Sequence, residues 1–440
     1  MRAAVVFTVT LALSACRADR APAPTAAPSS TTAASAAPKP AAAASENRTL
    51  AMSDPAGTRA VDGQIRAQQK RLEKRADDLD ALVLLGGAWI KKAREAGDPG
   101  FYLNAKACAA LVLEVDADNR LALGLVAQVS LNAHEFREAA ETARRVLARD
   151  AEDVDAYGTL SDALLELGDD KAAVAAADKM IDLKPSLPSY ARASFLQWLH
   201  GDTKAALESA RLAIESGRNP LEPEPRCYAL VQSAMIFWHR GDYDGADAGF
   251  VKALGELGEY PPALVGRARV GLAKGQFKLA IASLEKAHAQ SPLVETAWLL
   301  GDAYSGAGES AKAEAAYAKV VRDGRRADHR TLAQFYATKN RDIDEALKLI
   351  EDEMKIRPGI YTHDAYGWTL FHAHRLDEAR KESDAALALG TKDARLMYHA
   401  GAIRIAQNGK DVEQGKALVR DAFALNPKFD FTEAARHEAK

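Results

Sequence analysis

From about residue 79 the apolar positions of this chain fall into pairs of short helical runs separated by brief polar breaks. Phe250, Leu284 and Tyr317 are each followed three residues later by a second apolar residue, Ala253, Ala287 and Val320. That step places both side chains on one helix face. The breaks repeat a phrase: a turn residue, one or two polar residues, then a small residue inside the next helix. It reads Gly168-Asp169-Asp170, Gly201-Asp202-Thr203, Gly241-Asp242-Tyr243, Gly275-Gln276-Phe277 and Gly308-Glu309-Ser310, with looser copies beginning at His134, Arg341 and His374. The small residues that close the phrase are Ala139, Ala173, Ala206, Ala246, Ala280, Ala313, Ala346 and Ala379, spaced by 34, 33, 40, 34, 33, 33 and 33 residues. Glycine ends a helix readily in the left-handed conformation. Alanine suits the point where two helices approach most closely. The pattern predicts an all-α chain of antiparallel helix hairpins. Pro185, Pro292, Pro358 and Pro427 end many of the second helices.

A period near 34 with two helices per unit resembles the tetratricopeptide repeat. Leu300-Gly301-Asp302-Ala303-Tyr304 and Leu85-Gly86-Gly87-Ala88-Trp89 match the leucine-glycine-x-x-aromatic phrase of that family's first helix. The resemblance implies an α-solenoid, a right-handed superhelix of about nine or ten hairpins over residues 79–427. Residues 48–78 are expected to cap the array, with one basic helix over 58–76, and 428–440 to form a tail. The wide spacing of 40 marks a proline-rich insert at 218–225, either a joint between two sub-arrays or a longer loop. The last unit has Gly415 in place of the alanine, as suits a terminal repeat.

In this family the first helices line a concave groove. The face that would meet a ligand carries Phe195, Trp198, Met235, Trp238, His239, Trp298, Phe335, Trp368, Phe371 and His372, including four of the five tryptophans. Large aromatic residues concentrate binding energy at interfaces, so the expected partner is an extended or helical peptide segment. The competing reading has these rings packed between neighbouring helices as core. Some family members clamp a peptide carboxylate with Lys and Asn. The matching positions here are Gly124, Gln128, Gly158 and Asp162, so that clamp is not expected.

Charge and composition narrow the function. Lys+Arg 58 against Asp+Glu 61 gives a net charge of −3 without a basic block, which argues against nucleic-acid partners. No nucleotide loop, Cys-x-x-Cys, His-Glu-x-x-His or nucleophile elbow occurs. The carboxylates Asp150, Asp153 and Asp155 fall at turns. His372 and His374, near His363, point about 200° apart if helical, so no metal site is expected. The chain reads as a non-enzyme without cofactor, an interaction scaffold for protein or peptide partners. Self-association through an apolar edge, or a glycan- or metal-binding accessory role, are the rivals. Cys108 and Cys227 read as separate thiols.

The first residues form an address. Met1 and Arg2 precede an apolar run from Ala3 to Leu13, and the segment ends Leu13-Ser14-Ala15-Cys16. This resembles the bacterial lipobox, which implies cleavage before Cys16 and lipidation of its thiol. Residues 1–15 are then a lipoprotein signal peptide and 16–47 a lipidated cysteine followed by an Ala/Pro/Ser/Thr linker. The expected location is the bacterial cell envelope, anchored to the outer membrane facing the periplasm in a Gram-negative cell.

Overall fold

A computed structural model of the chain describes residues 40–219 and 222–432. The signal peptide and lipobox, with Leu13, Ser14, Ala15 and Cys16, lie outside the described residues. Among those described there are twenty-two α-helices and no strand. None is long and apolar enough to cross a membrane.

Two helices precede the repeats, α1 (Pro40–Ala51) and α2 (Ala60–Lys74). The linker boundary is therefore corrected, because helix begins at Pro40 inside the stretch read as linker. The correction has a packing cause. The Asn104 amide donates to Leu50 O (2.7 Å) and the indole of Trp89 to Ala51 O (3.2 Å), so the first repeat itself holds α1.

Ten hairpins follow. The first five are α3/α4 (Leu79–Ala96, Phe101–Val115), α5/α6 (Arg120–Asn132, Phe136–Leu147), α7/α8 (Val154–Glu166, Asp170–Leu183), α9/α10 (Leu187–Leu199, Thr203–Ser216) and α11/α12 (Glu224–His239, Tyr243–Glu256). The second five are α13/α14 (Pro261–Ala273, Phe277–Gln290), α15/α16 (Val294–Gly306, Ser310–Ala327), α17/α18 (His329–Lys339, Ile343–Ile356), α19/α20 (Ile360–His372, Leu376–Ala386) and α21/α22 (Ala394–Ala406, Val412–Leu425). Each first helix packs on its own second helix and on the next hairpin.

The repeated phrase explains each turn. Gly168, Gly201, Gly241, Gly275 and Gly308 have φ from 68° to 79° and end their first helices. In three of these turns the next residue caps the second helix, with the Asp169, Asp202 and Asp242 carboxylates accepting from the amides of residues 172, 205 and 245. All eight closing alanines are buried. In the last hairpin the helices come closer still: a Cβ on Gly415 would lie 2.8 Å from Gly401 O, so alanine does not fit there.

The superhelix closes on itself. A Cβ on Gly97, in the first hairpin's turn, would lie 3.3 Å from Ser291 after the sixth hairpin. Gly168 in the third faces Pro358 O after the eighth, Gly201 in the fourth faces Gly390 O after the ninth, and Gly241 in the fifth faces Leu425 O after the tenth. The four glycine turns thus each meet a loop five hairpins on, while Arg137 of the second hairpin reaches across to Lys355 O at the end of the eighth (3.4 Å). The step is five hairpins, so the array makes two stacked turns of five. Along the seam the Thr391 hydroxyl donates to Leu199 O, and the Asn426 amide donates to Trp238 O (2.8 Å). The proline-rich insert joins this seam. Its Glu222 pairs with Lys91, and the adjoining Glu224 pairs with Arg94 (3.0 Å) and accepts from the Tyr260 hydroxyl (3.1 Å).

Candidate functional site

The stacked turns enclose a half-open chamber of about 360 Å³. Its wall draws on the first helices in helical register: Phe195 and Trp198 from α9, Met235, Trp238 and His239 from α11, Arg269 from α13, Glu295, Trp298 and Asp302 from α15. The later hairpins supply the opposite ends of their first helices, Arg330 and Thr331 at the start of α17, Tyr361 at the start of α19, and Asp393 and Arg395 at the start of α21. The change of end follows from the seam. It sets the hairpin turns of one superhelical turn against the loops that precede first helices in the other. The chamber therefore lies at the junction between the turns.

Six of the ten residues of the sequence-predicted face meet here: Phe195, Trp198, Met235, Trp238, His239 and Trp298. Four of them form a continuous aromatic wall. Phe195 stacks on Trp198 (6.0 Å), Trp198 lies 4.7 Å from the His239 ring, and His239 meets Trp238 edge-on at 5.1 Å. The tryptophans are both wall and core, since Trp198, Trp238 and Trp298 are 3%, 6% and 8% exposed. Among the described residues, the indole N–H groups of Trp238 and Trp298 have no hydrogen-bond acceptor.

The other four predicted residues lie elsewhere, which corrects the stripe. Phe335 is fully buried between Trp298 (5.4 Å) and Tyr317 (5.5 Å), and its neighbour Gln334 faces the chamber instead. Trp368, Phe371 and His372 sit in the far half of α19, where Trp368 stacks on Phe371 (4.8 Å) and His399 (4.0 Å) and meets His372 edge-on. That half of the helix points away from the junction. The histidines near residue 370 do not converge: His363 pairs with Glu382 (2.6 Å), and His374 is exposed in a left-handed turn. Among the described residues no group of three or more His, Cys, Asp or Glu could hold a metal ion. Cys108 and Cys227 are separate buried thiols, each pushed up to about 12 by burial.

Sequence reasoning missed the polar lining. Four basic side chains (Arg269, Arg330, Arg395, Lys428) and four acidic ones (Glu295, Asp302, Asp393, Asp430) face the chamber. Arg269 pairs with Glu295 and lies over the Trp238 ring at 5.5 Å. Asp302 accepts from Lys339 (2.8 Å) and from the Tyr317 hydroxyl (2.7 Å); burial raises its pKa above the usual carboxylate value, against the pull of Lys339. Burial pushes the His239 imidazole down to about 4, although Asp393 lies 3.5 Å from it, so it is neutral at pH 7. The signal was present for Glu295 and Asp302, which flank Trp298 at helical spacing on α15; the others come from helices without a tryptophan or from loops and had no such mark.

The C-terminal segment was also missed. Residues 428–431, read as tail, form part of the chamber wall. Asp162, one of the four positions compared with the carboxylate clamp, is buried against Arg192 of the next first helix (2.7 and 3.0 Å). Its charge is matched within the array.

Known proteins share the helical-repeat fold of this chain. The tetratricopeptide repeat family matches residues 154–187, which is the third hairpin and the first residue of the next. No curated protein matches the chain. Among solved structures it is similar to PilW, a widely conserved type IV pilus biogenesis factor (16% identity, 48% of this chain and 96% of that one, TM-score 0.40). It is also similar to yeast Tom70 (15%, 85% and 96%, 0.39) and to a human IFIT1 dimer with PPP-AAAA (15%, 91% and 96%, 0.48). At these identities the likeness is one of fold.

Proposed function

We propose that this chain is a lipid-anchored interaction scaffold of the bacterial cell envelope, and that it holds a peptide segment of a partner protein in the chamber between its superhelical turns. The observation that carries the reading is the chamber itself, walled by Trp198, Trp238, His239 and Trp298 and bordered by charges of both signs. A cavity of a few hundred Å³ with an apolar wall and a few placed polar groups is the common form of a ligand site. Balanced charge suits a polypeptide, which brings amide dipoles and mixed side chains, better than a polyanion. The absence of nucleotide, zinc or nucleophile motifs in the sequence supports a non-catalytic role. The anchor rests on Leu13-Ser14-Ala15-Cys16.

Two experiments test the two halves. Metabolic labelling with a palmitate analogue is expected to mark the native chain and not the Cys16→Ser variant, which leaves the membrane fraction. A photocrosslinking residue at Met235, half-buried in the wall, is expected to give a discrete protein adduct in cells. The same residue at Leu103, half-exposed on α4, gives none. Equal adducts at both positions would show that the chamber is not where partners bind.

A further inference from the structure

Part of the chamber lining comes from a short segment after the last hairpin. Beyond α22, Lys428, Phe429, Asp430 and Phe431 join the chamber wall. Both ends of this short segment are tied to elements distant in sequence. At its start, buried Asn426 donates to Trp238 O (2.8 Å) and accepts from the Tyr243 hydroxyl (2.7 Å). At its end, the Thr432 hydroxyl accepts from Lys339 (2.8 Å), the residue that also holds Asp302. Between the anchors, aromatic and charged residues alternate. Phe429 is buried against Tyr398 (5.4 Å) and Phe423 (5.5 Å), and Phe431 meets Phe277 edge-on at 6.2 Å. Residues 426–430 carry no helix, and helix resumes at Phe431, where the Asp430 carboxylate accepts from the Thr432 amide (2.8 Å).

Two features set it apart from ordinary core. It occupies the chamber incompletely, since about 360 Å³ stays open beside it. Phe431, Lys428 and Asp430 are only half-buried, whereas the rings of the repeat core, such as Phe250 and Phe335, are fully so. The segment is thus seated by Asn426 and Phe429 and more loosely by Lys428, Asp430 and Phe431, outside the helices of every hairpin.

We propose that Lys428–Thr432 is a built-in occupant of the chamber, and that the partner segment shares its chemistry: a short peptide with two aromatic side chains around a carboxylate, as in Phe429-Asp430-Phe431. This rests on the chamber being a peptide site. The partner's aromatics take the places of Phe429 and Phe431, and its carboxylate that of Asp430, near the basic lining. Because the resident segment must first leave, the intact chain binds such a peptide more weakly, in proportion to the small fraction of molecules with the segment out.

The test uses a fluorescent peptide of residues 427–432, Pro-Lys-Phe-Asp-Phe-Thr, and anisotropy titrations against three proteins: the intact chain, a chain ending at Pro427, and the full-length Phe431→Ala variant. The truncated chain is expected to bind at least about tenfold tighter than the intact one, with Phe431→Ala in between. A peptide with both phenylalanines replaced by alanine is expected to lose binding. Circular dichroism melts identify which variants fold; if the truncated chain does not, the Phe431→Ala titration decides. Equal affinity for intact and altered chains, or no binding to a folded variant, overturns the proposal. Failure here with a discrete Met235 adduct in cells would remove the built-in occupant and leave the scaffold reading intact.

Discussion

Gly201 and Gly308 adopt the same left-handed backbone, with φ of 77° and 79°, and meet different surroundings. A Cβ on Gly308 would find nothing within 4 Å, whereas one on Gly201 would lie 2.5 Å from Gly390 O across the seam. Alanine at 308 is expected to cost about 1–2 kcal/mol, the penalty of the left-handed backbone alone. Alanine at 201 is expected to cost measurably more, because backbone must also shift. Urea unfolding of the two variants compares them, and equal losses would argue against the stacked turns. The converse holds at His374, exposed with φ 59°: glycine there is expected to stabilise by about 1 kcal/mol. His239 gives a pH signature. Its folded pKa, about 4, lies below the unfolded value of about 6.5, so between these the unfolded chain binds more protons. This contribution to stability is complete above about pH 6.5 and falls as pH drops toward 4. Melting temperatures at pH 7.5 and 4.5 are expected to fall further apart in the native chain than in His239→Gln.

The elements owe their ends to local chemistry. Asp202 caps α10 by accepting from the amide of residue 205, and Asp202→Ala is expected to cost about 1 kcal/mol in thermal unfolding. This level was largely legible in the sequence. The turn phrase and the 34-residue period follow from short-range requirements, and the structure fills them hairpin by hairpin. Where the reading erred, a distant contact intervened. Helix α1 is drawn out of alanine-rich linker by Asn104 and Trp89. The stripe failed after α15 because it assumed that every first helix shows the groove the same end, while the seam turns the later helices by their starts. Phe335 and Trp368 are aromatic at the expected spacing, but nothing local tells a wall ring from a core ring.

For the whole molecule, the decisive contacts are those that cross the seam between the two superhelical turns. Arg94 and Glu224 form a pair with both side chains 6% exposed, joining the first hairpin to the start of α11. Removing one member of a buried pair leaves the other uncompensated, at a cost of about 3–5 kcal/mol. Glu224→Ala is therefore expected to destabilise the chain and to enlarge its radius of gyration in small-angle scattering as the seam opens. An unchanged radius would mean that the turns hold together without this clamp. The period, the hairpins and the aromatic character of the inner face were determined by the sequence alone, because each depends on residues within one or two repeats. The pitch of five, the chamber at the junction and the C-terminal segment within it were decided only by tertiary structure. They depend on glycine turns, buried charges and an asparagine meeting loops more than a hundred residues away, and such meetings leave no local period to read.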